Sequence, residues 1–217
     1  SGERLAHLEH HRHNINALAW SPDGQFFVSG SRDETVQIWK PDGERVIGMH
    51  TTGQITSLAY APDASSFASA GHYSSTGEVW QSGTGALLFA LEGHRTRLRC
   101  VAYSADSQWI ASGDQAGVIV IHDAHTGQPV FWLEGSHGED QAMAFSPDGQ
   151  TLAVGTDRGR IELWNMEDRS YEGTIEAHTG GVTSLVYSRD GSLLISSGGD
   201  GVIRLWDAQT DKKIRSL

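Results

Sequence analysis

A four-residue turn motif recurs along the chain at nearly constant spacing: Ser21-Pro22-Asp23-Gly24, Ala61-Pro62-Asp63-Ala64, Ser104-Ala105-Asp106-Ser107, Ser146-Pro147-Asp148-Gly149 and Ser188-Arg189-Asp190-Gly191. The starts lie 40, 43, 42 and 42 residues apart. A second marker keeps the same period: Trp39, Trp80, His122, Trp164 and Trp206 follow one another at 41, 42, 42 and 42. Two independent markers in register mean one small unit built five times. A unit that short cannot hide its own apolar face, so copies must stack on their neighbours.

Within a unit the pattern alternates with period two, as in Ile15-Asn16-Ala17-Leu18-Ala19-Trp20 and Thr35-Val36-Gln37-Ile38-Trp39. Asp, Gly and Pro break the alternation at short intervals, which reads as short antiparallel strands. A fourth run closes each unit: Val46-Ile47-Gly48, Ala86-Leu87-Leu88-Phe89, Pro129-Val130-Phe131, Tyr171-Glu172-Gly173-Thr174 and Lys213-Ile214-Arg215-Ser216. Four strands per unit, five times over, suit radially stacked four-stranded sheets, or blades.

Composition agrees. The 217 residues are 38% hydrophobic and 20% charged, enough for a core and unlike a disordered chain. The longest apolar run, Val118-Ile119-Val120-Ile121, is far below the roughly 20 residues that span a bilayer. No secretory leader is legible, so a soluble protein with no membrane partner is expected. The single cysteine, Cys100, excludes an internal disulfide and fits a reducing, cytoplasmic setting. The first residues, Ser1-Gly2, read as a processed terminus, an expression scar or a cut-out segment.

The recurring residues carry a resemblance. Leu91-Glu92-Gly93-His94, the Ser-x-Asp-x turn and Trp206-Asp207-Ala208-Gln209-Thr210 are similar to the WD-repeat pattern, and the likeness runs over essentially the whole chain. It implies an all-β propeller of five four-stranded blades, at about 9–49, 50–90, 91–133, 134–175 and 176–217, within a single region 1–217. It also implies a buried hydrogen-bond network of the Gly-His histidine, a turn aspartate and the third-strand tryptophan. His11, Asp33 and Trp39 in the first unit match it, as do His178, Asp200 and Trp206 in the fifth, with 28 residues from histidine to tryptophan in both. The middle units depart, with Thr51, Ser74 and Trp80, then His94, Ala116 and His122, then Ser136, Arg158 and Trp164. A buried polar group left without its partner costs around 1–3 kcal/mol, so the middle blades are expected to be softer.

Histidine, aspartate and serine together suggest a hydrolase triad. The repetition of the histidine at one structural position favours a turn-pinning role, and no Gly-x-Ser-x-Gly elbow occurs. No catalytic residue and no cofactor are expected. The cluster His7, His10, His11 and His13 straddles the entry to the first blade, so its side chains cannot converge on one ion, and no metal-ligand motif occurs. The series Trp20, Tyr60, Tyr103, Phe145 and Tyr187 keeps the blade period and is read as packing between sheets. Each ring buries roughly 150–250 Å², on the order of 4–6 kcal/mol before entropy.

Function then falls to exposed loops on a rigid frame. In related propellers one rim is formed by the loop before the first strand and the turn between the second and third. By that resemblance the rim carries Arg12, Asn14 and Arg32, then Thr52, Gln54, His72 and Tyr73, then Arg95, Arg97 and Gln115, then His137, Glu139 and Asp157, then Thr179, Gly181 and Gly199. Four arginines and a tyrosine gather on the first three units although the net charge is -11. Arginine beside tyrosine is a common composition of binding hot spots, and a guanidinium fork fits carboxylate or phosphate. The competing reading is a solvated polar rim with no partner.

The expected function is a non-enzymatic scaffold or sensor that binds other proteins or peptides at this rim. The alternative is a non-catalytic part of a larger multidomain enzyme or signalling protein. Nucleic acid is not an expected partner, because the overall charge repels polyanions and no RNA-binding fingerprint occurs. WD-repeat rings usually have seven blades and sometimes eight, so five read as an incomplete ring or a fragment of a seven-bladed propeller, an open arc whose end faces need additional blades or another chain. Residues 3–8 resemble the outer strand of a preceding blade.

Overall fold

The computed structural model describes residues 7–133 and 138–217. Its twenty strands form five sheets of four, each in simple up-and-down order with antiparallel neighbours. The first blade is β1 (Ile15–Trp20), β2 (Phe27–Ser31), β3 (Thr35–Trp39) and β4 (Arg45–His50). The second is β5 (Gln54–Tyr60), β6 (Ser66–His72), β7 (Gly77–Gln81) and β8 (Leu87–Leu91). β9 (Leu98–Tyr103), β10 (Trp109–Asp114), β11 (Ile119–Asp123) and β12 (Pro129–Leu133) make the third. β13 (Asp140–Phe145), β14 (Thr151–Thr156), β15 (Arg160–Asn165) and β16 (Ser170–Glu176) make the fourth, and β17 (Val182–Tyr187), β18 (Leu193–Gly198), β19 (Ile203–Asp207) and β20 (Lys213–Ser216) the fifth. No helix occurs among the described residues.

The periodic turn motif explains the first hairpin of each blade. Ser21, Ser104, Ser146 and Ser188 each donate their hydroxyl to the aspartate two residues on, at 2.5–2.6 Å, and receive the backbone N–H that restarts the chain five residues on. These local bonds hold the turn without a tertiary partner. They also stabilise the carboxylates as anions: the Ser188 hydroxyl and then the Ser192 groups pull Asp190 down to about 2.

Blades join through four apolar seams. Val28, Val36, Ile38 and Met49 of the first blade meet Ile55, Tyr60, Phe67 and Trp80 of the second. Ala68, Val79 and Leu91 meet Leu98, Val101, Tyr103 and Ile110; Ala111, Ile119 and Ile121 meet Met143, Leu152 and Trp164; Ala153, Ile161 and Leu163 meet Val182, Leu185, Leu194 and Trp206. Each blade thus presents one face backward, carrying its third-strand aromatic, and one face forward, carrying small and branched residues. Such seams bury apolar area at roughly 25 cal/mol per Å². The innermost strands β1, β5, β9, β13 and β17 line an open central cavity of about 690 Å³.

The two end faces are uncovered. Trp20 is 57% exposed and Leu18 66%, whereas Tyr60, in the place of Trp20 one unit on, is 9% exposed. The expectation that the whole aromatic series is packed is therefore corrected at Trp20: the face it occupies has no blade behind it. At the other end Val186, Ile203 and Leu217 are exposed, although Leu91, the counterpart of Leu217 in the second blade, is fully buried. Of the segment 3–8, residues 3–6 lie outside the described residues, and His7 and Leu8 belong to no strand.

Candidate interaction site

The loops of the rim are fastened from beneath by the blade networks. In the first blade, His11 Nδ1 lies 3.1 Å from Asp33, His11 Nε2 lies 2.7 Å from Ser29 Oγ, and Trp39 Nε1 donates to the same Oγ at 2.8 Å. The fifth repeats it, with His178 Nδ1 2.9 Å from Asp200, Nε2 2.8 Å from Ser196 Oγ, and Trp206 Nε1 donating at 2.9 Å. In the first blade the carboxylate fixes the proton on Nδ1, so the serine donates to Nε2 and accepts from the indole. In the fifth, Arg204 Nη1 also lies against His178 Nδ1 and donates to Asp200 at 2.8 Å. Ser29 and Ser196 are buried and already engaged, so this Ser-His-Asp order pins a turn and offers no exposed nucleophile.

The third blade corrects an expectation. Ala116 was to leave its network without an acid, yet Asp114 Oδ2 stands 3.0 Å from His94 Nδ1, and Ser112 Oγ bridges His94 Nε2 at 2.7 Å to His122 Nε2 at 2.8 Å. Asp114 is the last residue of β10, and from there its carboxylate reaches the imidazole that the turn position Ala116 cannot serve. His122 takes the place of tryptophan, and burial pushes it down to about 4. In the second blade Glu78 of β7 accepts the Thr52 N–H at 3.2 Å. That is the task done by Asp33 for Arg12, by Asp200 for Thr179 and by Asp157 for Glu139. The fourth blade has Val154 where the others have serine, and the buried Trp164 Nε1 has no hydrogen-bond partner among the described residues. Its Ser136 lies outside the described residues, as does the rim residue His137.

On that base the rim residues of the second and third blades converge. His72 ends β6, and Tyr73 follows it with a positive φ of 77°, turned out so that its ring is 62% exposed. The two rings meet edge to face at 4.4 Å, and the Arg97 guanidinium lies 4.8 Å over the Tyr73 ring. Tyr73, Ser74, Ser75, Arg95, Thr96, Arg97 and Gln115 line one open cavity of about 490 Å³. Gln115 donates to Glu139 at 2.9 Å, and Glu139 lies 3.8 Å from Arg99. Arg97 Nη1 is 3.2 Å from His72 Nε2, and Arg99 Nη1 is 3.1 Å from His72 Nδ1.

Of the rim residues, His72, Tyr73, Arg95, Arg97, Gln115 and Glu139 therefore form one connected group. Arg12, Asn14 and Arg32 are exposed on the first blade, where Arg32 N–H bonds the Asn14 carbonyl, and they stay outside the cavity. Asp157 is exposed on the fourth blade and touches the group only through the Glu139 N–H. Arg99 was missed. It lies within β9 and reaches His72 of the neighbouring blade. No group of three or more histidine, cysteine, aspartate or glutamate side chains placed to hold a metal ion occurs among the described residues.

Comparison with known proteins fits this architecture. The "WD domain, G-beta repeat" family model matches residues 2–40, 85–123, 127–165 and 169–207. The unmatched stretch holds most of the second blade, whose network lacks the histidine. Over 120 residues the chain is 30% identical to coronin-7 of Bos taurus, covering 50% of this chain and 13% of that protein. It is 30% identical over 115 residues to actin-interacting protein 1-2 of Arabidopsis thaliana, covering 50% and 19%. With apoptotic protease-activating factor 1 of Rattus norvegicus it shares 30% identity over 121 residues, covering 55% and 10%. The matches thus span less than a fifth of each of these relatives. With five antiparallel four-stranded blades, two full histidine–aspartate–tryptophan networks and a family match over most of its length, the chain belongs to the WD-repeat family.

Proposed function

We propose that the chain is a non-enzymatic interaction module that captures protein or peptide partners on the rim of its second and third blades. One observation carries the reading: Arg95, Arg97 and an outward tyrosine line one open cavity, with Arg99 held beside it on His72, on a molecule of net charge -11. Oriented guanidiniums and an aromatic ring suit recognition of a partner more than they suit solvation alone. The polarity of the rim steers an acidic segment to that place against the field of the whole molecule. Arg95→Glu with Arg97→Glu should abolish capture of partners from native extract while far-UV circular dichroism and Tm stay unchanged. Lys212→Glu with Lys213→Glu, a reversal on the fifth blade, should leave capture intact. Equal capture by both variants overturns the site.

A second reading, that the module is a non-catalytic part of a longer multidomain enzyme or signalling protein, is favoured by the small share of each relative that it matches. The uncovered end faces favour additional blades or another chain as their cover. Nucleic acid is the partner this proposal excludes: binding to an oligonucleotide that weakens steeply with salt would oppose it.

A further inference from the structure

Hydrogen-bond accounting around His72 leaves a surplus of donors. Arg97 and Arg99 each bring a guanidinium Nη1 to a different nitrogen of the one imidazole, at 3.2 and 3.1 Å. Arginine only donates, and a neutral imidazole has one N–H and one lone pair, so a single guanidinium can be satisfied by the ring. The other faces an N–H. Arg95 and Arg97 add charge along the cavity, and Arg32 adds to the field at His72 from the turn between β2 and β3. Against them, among the described residues, Glu139 is the carboxylate that acts on His72, and it lies 3.8 Å from Arg99 and already holds Gln115.

We propose that this cluster is an oxyanion site, filled by a carboxylate or phosphate ester of the partner, and that capture of the anion is coupled to protonation of His72. The inference rests on the rim reading and names the chemistry of that site. An oxyanion supplies the acceptors that the two guanidiniums lack and turns the place of His72 from one that repels a proton to one that accepts it. In the free protein partial burial, then Arg99 and Arg97, with Arg32 adding, hold His72 below its ordinary value, and Glu139 opposes them. Bound anion raises that value. Between the two values binding takes up a proton, so affinity grows as pH falls, by at most about tenfold per pH unit for one proton.

Sulfate tests the coupling because it remains a dianion throughout. In a titration of the 217-residue chain followed by NMR at constant ionic strength, sulfate should shift the side-chain signals of His72, Arg97 and Arg99. Its affinity should rise at least about threefold from pH 7.5 to 5.5. His72→Gln should retain sulfate binding and lose the pH dependence, while Arg97→Gln should lose binding at both pH values. A pH-flat affinity in the native chain, an unchanged slope in His72→Gln, or no shift at these three residues overturns the proposal. Parallel titrations with acetate and methyl phosphate identify the source, since the tighter ligand marks carboxylate or phosphate ester. If sulfate fails while Arg95→Glu/Arg97→Glu still abolishes capture, the oxyanion chemistry is wrong and the rim reading stands.

Discussion

His122 is neutral in the folded protein, wedged where the other blades carry tryptophan, and the unfolded chain takes up its proton more readily. Its folded value of about 4 lies below the ordinary 6.5, so the unfolded state binds more protons between these limits and stability falls as pH drops through that window. The full excursion is worth about 3 kcal/mol. His122→Gln should flatten the dependence of urea midpoint on pH between 6.5 and 4, and an unchanged slope in this variant would show that another group carries it. Trp164 gives a second test at this scale. Its indole N–H meets no acceptor among the described residues, whereas that of Trp206 is held by Ser196. Trp164→Phe should therefore cost about 1 kcal/mol less than Trp206→Phe in denaturant unfolding. Residue identity was legible where the chain keeps the family pattern: His11, Asp33 and Trp39 follow from the WD-repeat resemblance. Asp114 was not, because spacing counts positions along the chain while the network is set by which side chains reach one imidazole, and the end of β10 reaches His94 as well as the turn does in the first blade.

At the level of strands and turns, the seams set the tolerance of the structure. Gly159 has a φ of 79° and lies against the carbonyls of His178 and Gly180, and a Cβ there would run into the His178 carbonyl. The Gly159 carbonyl itself receives the N–H groups of Ala177 and His178. Gly159→Ala should lower stability by about 2 kcal/mol or more, through positive φ and backbone collision together. Hydrogen exchange should quicken first in β17 and β18, because the fifth blade is held on one side only. Uniform exchange across the blades in this variant would argue against a local opening. The strands were legible as short runs between turns, with period-two alternation in runs such as Ile15–Trp20 and Thr35–Trp39, since that signal is local. Arg99 was hidden for the opposite reason: inside a strand its type reads as an exposed rung, and only the approach of β6 from the neighbouring blade brings it to His72.

The whole molecule is a stack with two uncovered ends. Leu18 and Trp20 at one end and Val186, Ile203 and Leu217 at the other should bind apolar dyes and drive association that increases with concentration. Leu18→Lys with Val186→Lys should suppress both without changing the circular dichroism spectrum, as read by sedimentation velocity. A dye-silent monomer at all concentrations would mean that the ends shield one another. The count of five units was legible in the sequence, but what lies against the end faces is not a property of any one repeat. The backward face of the first blade and the forward face of the fifth carry the same kinds of side chain as the four internal joints. The joint is consequently a modular coupling: a duplicate of one complete unit spliced onto the fifth would find its bed already shaped, whereas an insertion of half a unit would present the wrong surface and find none.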